Sequence, residues 1–82
     1  MRSCVACPCC DHLTLAERGA WHVCPVCLWE DDGQDERTAD ECRGGPNGML
    51  SLMAARANYR SFGACERRHL GAVRAALPDE VP

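Results

Sequence analysis

The chain has no lysine and few of the large aromatic side chains from which small proteins build a core. One Phe, one Tyr and two Trp are its only aromatic residues, and much of its apolar content is Ala and Cys. A chain of 82 residues is expected to bury only about 60% of the surface that its unfolded form exposes. A core this thin usually needs a covalent or metal cross-link.

Long hydrophobic runs are also missing. The first ten residues, MRSCVACPCC, lack the apolar stretch of about 7 to 15 residues that a secretory signal requires, and no run is long enough to span a membrane. The same absence argues against lipidation of Cys4 or Cys7. We therefore expect a cytoplasmic protein with no membrane partner and with reduced cysteines. Disulfides between the eight cysteines are the less favoured alternative.

Charge is unevenly distributed along the chain. Residues 1–43 contain four Arg and nine acidic residues, whereas residues 44–78 contain five Arg and one Glu. The formal net charge is −3, and four thiolates on one divalent ion would make it more negative. This balance disfavours nucleic acid as the partner, because duplex binding depends mainly on neutralising phosphates. The opposite charges of the two halves are equally compatible with attraction between them within the fold.

Cysteine, in contrast, is abundant and arranged in two matching pairs. Residues 7–10 and residues 24–27 both have the pattern Cys-Pro-x-Cys, with 13 residues between them. Each pair is expected to form a knuckle, a tight turn that presents two thiolates to one ion, and this spacing is typical of zinc ribbons. Iron is the main rival, since tetrahedral thiolate sites suit both metals. The sequence thus predicts a single Zn²⁺ held by Cys7, Cys10, Cys24 and Cys27.

The other cysteines leave alternatives open. Cys9 could replace either neighbouring cysteine as a ligand, or it could be a reactive thiol. Cys4 stands three residues before Cys7, so this pair could also form the first half of the site. Cys42 and Cys65 have no partner at ligand spacing and are interpreted as ordinary thiols.

The three histidines are not needed as ligands when four thiolates are present. His12 and His22 flank the cysteine pairs, and we expect them to form hydrogen bonds. His69 stands beside two arginines and is expected on the surface.

Local patterns predict a hairpin between the cysteine pairs and an irregular segment after them. Residues 12–15 alternate, Gly19 supplies a turn, and residues 20–23 return with alternate apolar side chains. Residues 30–48 are polar and end in a Gly-Gly-Pro-Asn-Gly cluster. They predict a long solvated loop with one short helical turn near 37–42.

A helix is predicted between Ser51 as N-cap and Gly63 as C-terminal stop. Within it Leu52, Ala55, Tyr59 and Phe62 form one apolar stripe. A second, weaker helix is predicted over 65–76, followed by a frayed tail.

These elements predict a small metal-stabilised α+β fold. It consists of a zinc-ribbon-like β-hairpin with two knuckles, followed by one or two short helices. We interpret residues 1–82 as a single domain with a zinc-ribbon-like part at 4–32, an acidic loop at 30–48 and a helical part at 50–77.

Two blocks of the sequence resemble the bacterial cysteine-rich CPCC family of small predicted zinc-binding proteins. They read CPCC…LTL…ERG…W…CPVCLWEDD and GGPNGMLSLMAARANYRSFGACERRHL…VR, and together they cover roughly residues 7–74. The resemblance supports the four ligands named above and places Cys9, Cys65, Trp29 and residues 30–32 in the family pattern. Zinc ribbons commonly have glycine after each knuckle, where this chain has Asp11 and Leu28. Since Leu tolerates a left-handed backbone less well than Asp, we expect the second turn to differ.

Three functions are compatible with the sequence, and the resemblance itself implies no activity. We favour a non-enzymatic module that binds another protein, such as a toxin it inhibits, through Trp29 with residues 30–32 or through the arginine face of the C-terminal helices. The first alternative is nucleic-acid binding through that arginine face, which comprises Arg56, Arg60, Arg67, Arg68 and Arg74. The second is a thiol redox protein, but nothing in the pattern predicts the thioredoxin-like fold that such chemistry uses.

Overall fold

The computed structural model describes residues 4–82 and has an α+β architecture. Strands β1 (Val5–Ala6) and β2 (Leu13–Leu15) form an antiparallel pair, and helix α1 spans Leu52–Phe62. Two 3₁₀ helices follow, at Arg67–His69 and Pro78–Glu80. None of the helices within residues 4–82 has the length and apolarity that crossing a bilayer requires.

The strands pair differently from the predicted hairpin. β2 is a strand as predicted, but it pairs with β1, in the register Val5 with Leu15 and Ala6 with Leu13. Residues 20–23 do not pair with β2; instead Val23 forms an antiparallel bridge with Glu30. The prediction was wrong because each Cys-Pro-x-Cys turn folds its own flanking residues together, so neither strand is left to pair across the turn at 16–19.

Helix α1 has the predicted ends and the predicted apolar stripe. The Ser51 hydroxyl accepts a hydrogen bond from the Ala54 N–H, and Gly63 ends the helix with a left-handed φ of 88°. Leu52 and Ala55 are fully buried. The rest of the stripe is half-buried, so the first two turns dock α1 onto the remainder of the fold.

The second predicted helix is absent from the described residues after 65 apart from the short 3₁₀ turn at Arg67–His69. Leu70 and Leu77 remain 43% and 49% exposed, so they do not pack as the apolar face of a helix would. Between Gly71 and Pro78 the chain runs without helix, and the Arg74 N–H donates to the Pro25 carbonyl at 3.2 Å. In this segment, a hydrogen bond to the second cysteine turn takes the place of hydrogen bonds within a helix.

The C-terminal residues are not frayed. Arg74 forms two hydrogen bonds to the Glu80 carboxylate, Nη1–Oε1 at 2.8 Å and Nη2–Oε2 at 2.9 Å. The Leu77 N–H donates to the same carboxylate, and Glu80 is only 2% exposed. The Arg74 guanidinium and the Leu77 N–H lower the pKa of Glu80 to about 2. The last turn is thus fastened to the segment that crosses the second cysteine turn.

The segment 30–48 is not a solvated loop throughout. Gln34 is 1% exposed, and its amide donates to the carbonyl oxygens of Thr38 at 2.6 Å and Glu41 at 3.0 Å. Residues 36–40 form turns without the predicted helical turn, and Ala39 is buried. The Gln34 side chain organises this part of the loop, which sequence polarity alone does not reveal.

Sulfur makes up much of the core. Trp29, Leu15 and Leu52 are the largest buried apolar side chains. They belong to one cluster that also contains five cysteines, namely Cys7, Cys9, Cys24, Cys27 and Cys65. The core of the fold therefore surrounds the cysteine turns.

Candidate metal centre

The two Cys-Pro-x-Cys segments fold into matching turns. In the first, the Asp11 N–H donates to the Cys7 carbonyl at 2.8 Å, and in the second the Leu28 N–H donates to the Cys24 carbonyl at 2.8 Å. One more backbone hydrogen bond closes each turn. The Cys7 N–H donates to the His12 carbonyl, and the Cys24 N–H donates to the Trp29 carbonyl, both at 2.9 Å. The repeated sequence thus produces a repeated backbone.

The residue after each turn adopts a left-handed conformation. Asp11 has a φ of 68° and Leu28 a φ of 69°. The expected difference in the second turn is wrong at the level of the backbone, because Leu28 takes the same conformation as Asp11. Left-handed φ is unfavourable for a bulky residue, so the closing hydrogen bonds must hold Leu28 in place.

The turns bring four sulfur atoms together. The Sγ atoms of the predicted ligands Cys7, Cys10, Cys24 and Cys27 all lie within 4.8 Å of one another. The Cys7–Cys27 pair is separated by 3.6 Å and the Cys10–Cys24 pair by 3.7 Å. A tetrahedral zinc ion with Zn–S bonds of about 2.3 Å requires sulfur separations of about 3.8 Å. The arrangement fits a tetrahedral metal ion.

Burial and mutual hydrogen bonding prepare these sulfurs for a cation. Cys7, Cys24 and Cys27 are fully buried, and Cys10 is half-buried. The hydrogen bond with Cys10 lowers the pKa of Cys24 and raises that of Cys27, while the hydrogen bond with Cys24 raises the pKa of Cys10. A divalent cation would stabilise all four sulfurs as thiolates.

Two further groups donate hydrogen bonds to the sulfur atoms. The Thr14 hydroxyl lies 3.0 Å from Cys24 Sγ, and the Trp29 N–H lies 3.5 Å from Cys27 Sγ. Donors of this kind orient metal ligands and reduce the charge on sulfur. Sequence reasoning missed Thr14. The signal was its place in the alternating strand β2, on the opposite face from Leu13 and Leu15.

The remaining cysteines lie outside this group of sulfurs. Within residues 4–82 the cluster of close ligand atoms includes neither Cys4 nor Cys9. Cys9 and Cys65 are buried, whereas Cys42 is exposed. Burial raises the pKa of the Cys65 thiol to about 12. The structure has every cysteine as a free thiol.

The histidines do not join the cluster. His12 Nδ1 is buried without a hydrogen-bond partner among the described residues, and the ring packs edge-on against Tyr59 at a centroid distance of 6.0 Å. The His12 backbone carbonyl does accept hydrogen bonds from the Cys7 and Thr14 N–H groups at 2.9 Å. His22 is exposed, and its backbone carbonyl accepts the Asp31 N–H at 2.9 Å.

Trp29 and Asp31 are not available to the predicted interaction surface at Trp29 and residues 30–32. Trp29 is 0% exposed and packs in the core, and Asp31 is also 0% exposed. Arg18 Nε donates to Asp31 Oδ2 at 2.8 Å, and the Gly19 N–H donates to the same oxygen at 2.7 Å. Burial raises the pKa of Asp31, but Arg18 and the backbone donors more than offset this and hold the pKa below its usual value. Trp29 and Asp31 therefore have structural roles, and the exposed tryptophan is Trp21.

The arginine face is largely occupied by partners within the chain. Arg56 pairs with Glu36 and donates to the Pro8 carbonyl at 2.7 Å. The guanidinium of Arg67 lies 4.4 Å from the Phe62 ring centroid. Arg68 and Arg74 form ion pairs with Glu66 and Glu80. The link from Arg56 to Glu36 joins the basic half to the acidic half.

Comparisons with known proteins agree with the cysteine pattern. A family model described as Cysteine-rich CPCC matches residues 5–80. No curated protein and no solved structure matches the chain significantly. With the family model covering nearly its whole length, the chain belongs to the cysteine-rich CPCC family.

Proposed function

We propose that the chain binds one zinc ion through Cys7, Cys10, Cys24 and Cys27, and that this ion is structural. The observation that carries the proposal is the convergence of their four Sγ atoms to within 4.8 Å of one another, with the Cys7–Cys27 pair at 3.6 Å and the Cys10–Cys24 pair at 3.7 Å. Zinc is favoured over iron because stabilising a fold requires no change of oxidation state. A reducing cytoplasm would keep the four thiolates available.

The donor set supports a structural site rather than a catalytic one. Catalytic zinc sites usually have three protein ligands and keep a fourth position for water or substrate, whereas structural sites are closed by four. Four thiolates would fill the coordination sphere of this ion, and three of the cysteines are fully buried. We therefore propose that the protein is not an enzyme.

The metal would stabilise a scaffold that binds another protein. The core around the cysteines is small, and the free energy of zinc binding, about 10 kcal/mol or more for structural sites, becomes folding free energy. Such a scaffold presents short loops in fixed positions without a large apolar interior. Recognition of a protein partner needs only those exposed loops.

Native mass spectrometry combined with circular dichroism tests the metal proposal. We expect one zinc ion per chain and loss of the folded spectrum when a chelator removes it. Cys24→Ser should abolish stoichiometric zinc binding, while Cys42→Ser, which changes an exposed cysteine, should leave it intact. Iron in place of zinc, two ions per chain, or an unchanged spectrum after complete metal removal would overturn the proposal.

A further inference from the structure

Trp21 is the exposed tryptophan of a chain with few aromatic residues. It is 57% exposed, and Val23, two residues later, is 47% exposed. The other tryptophan, Trp29, is completely buried. Isolated exposed apolar residues are common, so exposure alone does not assign a role to Trp21.

The backbone at Trp21 is a second, independent anomaly. The Trp21 N–H donates to the Asp31 carbonyl at 3.0 Å, and the Asp31 N–H donates to the His22 carbonyl at 2.9 Å. Trp21 has a φ of 65°. These bonds and this φ are those of a G1 β-bulge, whose first position normally holds glycine. Tryptophan there has an unfavourable backbone and an exposed ring, so neither local conformation nor core packing accounts for it.

The bulge is held firmly in place. The Asp31 carboxylate, besides accepting from Arg18 and Gly19, accepts from the Gly33 N–H at 3.1 Å. Asp31 therefore fixes the Trp21 backbone through its own main chain. Its side chain fixes the loop that precedes Trp21. The Trp21 backbone is consequently fixed, which lowers the entropy lost on binding.

Next to Trp21 lies an unpaired backbone edge. The Val23–Glu30 bridge is flanked by bonds from Asp31 to His22 and from Cys24 to Trp29. Val23 is therefore in a non-hydrogen-bonded pair, and its own N–H and C=O point away from Glu30. Neither group has a backbone partner within residues 4–82. An edge of this kind can accept an added strand from a partner.

The charge around this edge is uncompensated. Glu17, Glu30 and Asp32 belong to the segments that flank or face Trp21 and Val23, and none of them forms an ion pair within residues 4–82. Asp11, Asp40 and Asp79 likewise form no ion pair among residues 4–82, and the other six acidic residues are paired with arginines. An exposed aromatic ring beside acidic segments of the chain favours cationic side chains through both Coulomb attraction and cation–π contact.

We propose that Trp21 and Val23 form a docking edge for an extended, positively charged segment of another protein. The segment pairs with the Val23 backbone as an added strand, places a cationic side chain over the Trp21 ring and meets the carboxylates of Glu17, Glu30 and Asp32. This inference rests on the proposed protein-binding function and names the surface and the chemistry of the partner.

The probe is an acetylated, amidated octapeptide of alternating arginine and valine, added to ¹⁵N-labelled zinc-loaded protein. Trp21→Phe identifies the Trp21 indole resonance. We expect saturable shifts of that resonance and of the Val23 and Glu30 amides. Trp21→Ala should weaken binding about tenfold, the loss typical of a contact near the centre of an interface, and Glu30→Gln should weaken it by a smaller factor. Met53→Ala, which changes a residue that is 58% exposed on α1, serves as the matched control.

Two control peptides test the chemistry of recognition. Replacing arginine with glutamate should abolish binding through charge, and replacing the valines with proline should abolish it by removing backbone donors. Equal binding of either control would overturn the inference. Absence of any shift at about 1 mM peptide, the weak end of specific recognition, would also overturn it, as would shifts confined to α1.

Other occupants of the edge are separate outcomes that count against the proposal. Shifts at Trp21 that depend on protein concentration alone would identify a second copy, and the same shifts with a single-stranded oligonucleotide would identify nucleic acid. Zinc content and the folded spectrum are recorded before each titration. Failure of the peptide to bind a protein that holds one zinc ion would therefore reject the docking edge and leave the metal site intact.

Discussion

Arg18 and Asp31 form an ion pair in which the carboxylate is completely buried and the guanidinium is partly exposed. The pair joins the segment between the two cysteine turns to the segment that follows the second turn. Arg18 Nη2 also donates to the Gln34 carbonyl at 2.6 Å. One arginine thus holds together two parts of the chain that the metal site does not reach directly.

Removing Arg18 should destabilise the protein strongly. Arg18→Ala leaves the buried Asp31 carboxylate without its charged partner, and we expect a loss of about 3 kcal/mol in the free energy of unfolding. Arg37→Ala is the matched control, since Arg37 and Asp35 form an exposed pair, and its effect should be below about 0.5 kcal/mol. Urea unfolding of the zinc-loaded variants measures both. Similar losses for the two variants would contradict the prediction.

Removing the Thr14 hydroxyl should weaken metal binding without breaking the fold. Thr14→Val keeps the size and β-branching of the side chain but removes the donor to Cys24 Sγ. We expect zinc affinity to fall about tenfold, as it does when donors to metal ligands are lost. Competition with a chromophoric chelator measures the affinity. Thr14→Ser should restore most of it, and equal affinities for all three proteins would refute a role for the hydroxyl.

The cysteines outside the cluster should differ in alkylation rate. Cys42 is exposed and should react quickly with iodoacetamide near pH 8, whereas Cys65 is buried, with a pKa raised to about 12, and should react slowly. Because the folded-state pKa lies above the unfolded value, protonated Cys65 stabilises the fold below about pH 9. This contribution is lost as the pH rises from about 9 towards 12.

Mass mapping of zinc-loaded protein over this pH range measures the rate at each cysteine. Cys65→Ala should remove the slow reaction and leave the Cys42 reaction unchanged. Equal rates for Cys42 and Cys65 at pH 8 would show that Cys65 is not buried in solution.

The cap of α1 offers a test of the helix itself. Ser51→Ala removes the hydroxyl that accepts the Ala54 N–H, and we expect a loss of about 1 kcal/mol. Ser61→Ala provides the matched control, because Ser61 is an exposed residue inside the same helix. The Ser61 change should have little effect or be slightly stabilising, since alanine is the better helix former. Thermal or urea unfolding of the zinc-loaded proteins distinguishes the two.

The features predicted correctly from sequence are those with local signals. Ser51 and Gly63 mark the ends of α1 because capping depends on residues within one turn. The two Cys-Pro-x-Cys segments identify the cysteine cluster because each turn sets its own geometry. Even there, the left-handed conformation of Leu28 was not expected. Leucine disfavours it, and the backbone hydrogen bonds that close the turn hold Leu28 in it.

The features that could not be predicted depend on distant partners. Asp31 sits in an acidic run and looks solvated in the sequence, and only the position of Arg18 explains its burial. Glu80 likewise looks like part of a loose tail until Arg74 is placed beside it. Strand β2 was recognisable, but its partner β1 was set by the first cysteine turn. The alternation of apolar residues within a strand does not show which other strand it pairs with.

The cysteines that would hold the ion are also the centre of the apolar cluster around Trp29. Cys10, their half-buried member, is the sulfur most open to attack from outside. An electrophile or peroxide that modified it would remove a ligand and disturb the packing of the interior in the same event. Folding of this protein should therefore respond directly to oxidative conditions, with unfolding and proteolysis following damage to a single thiolate.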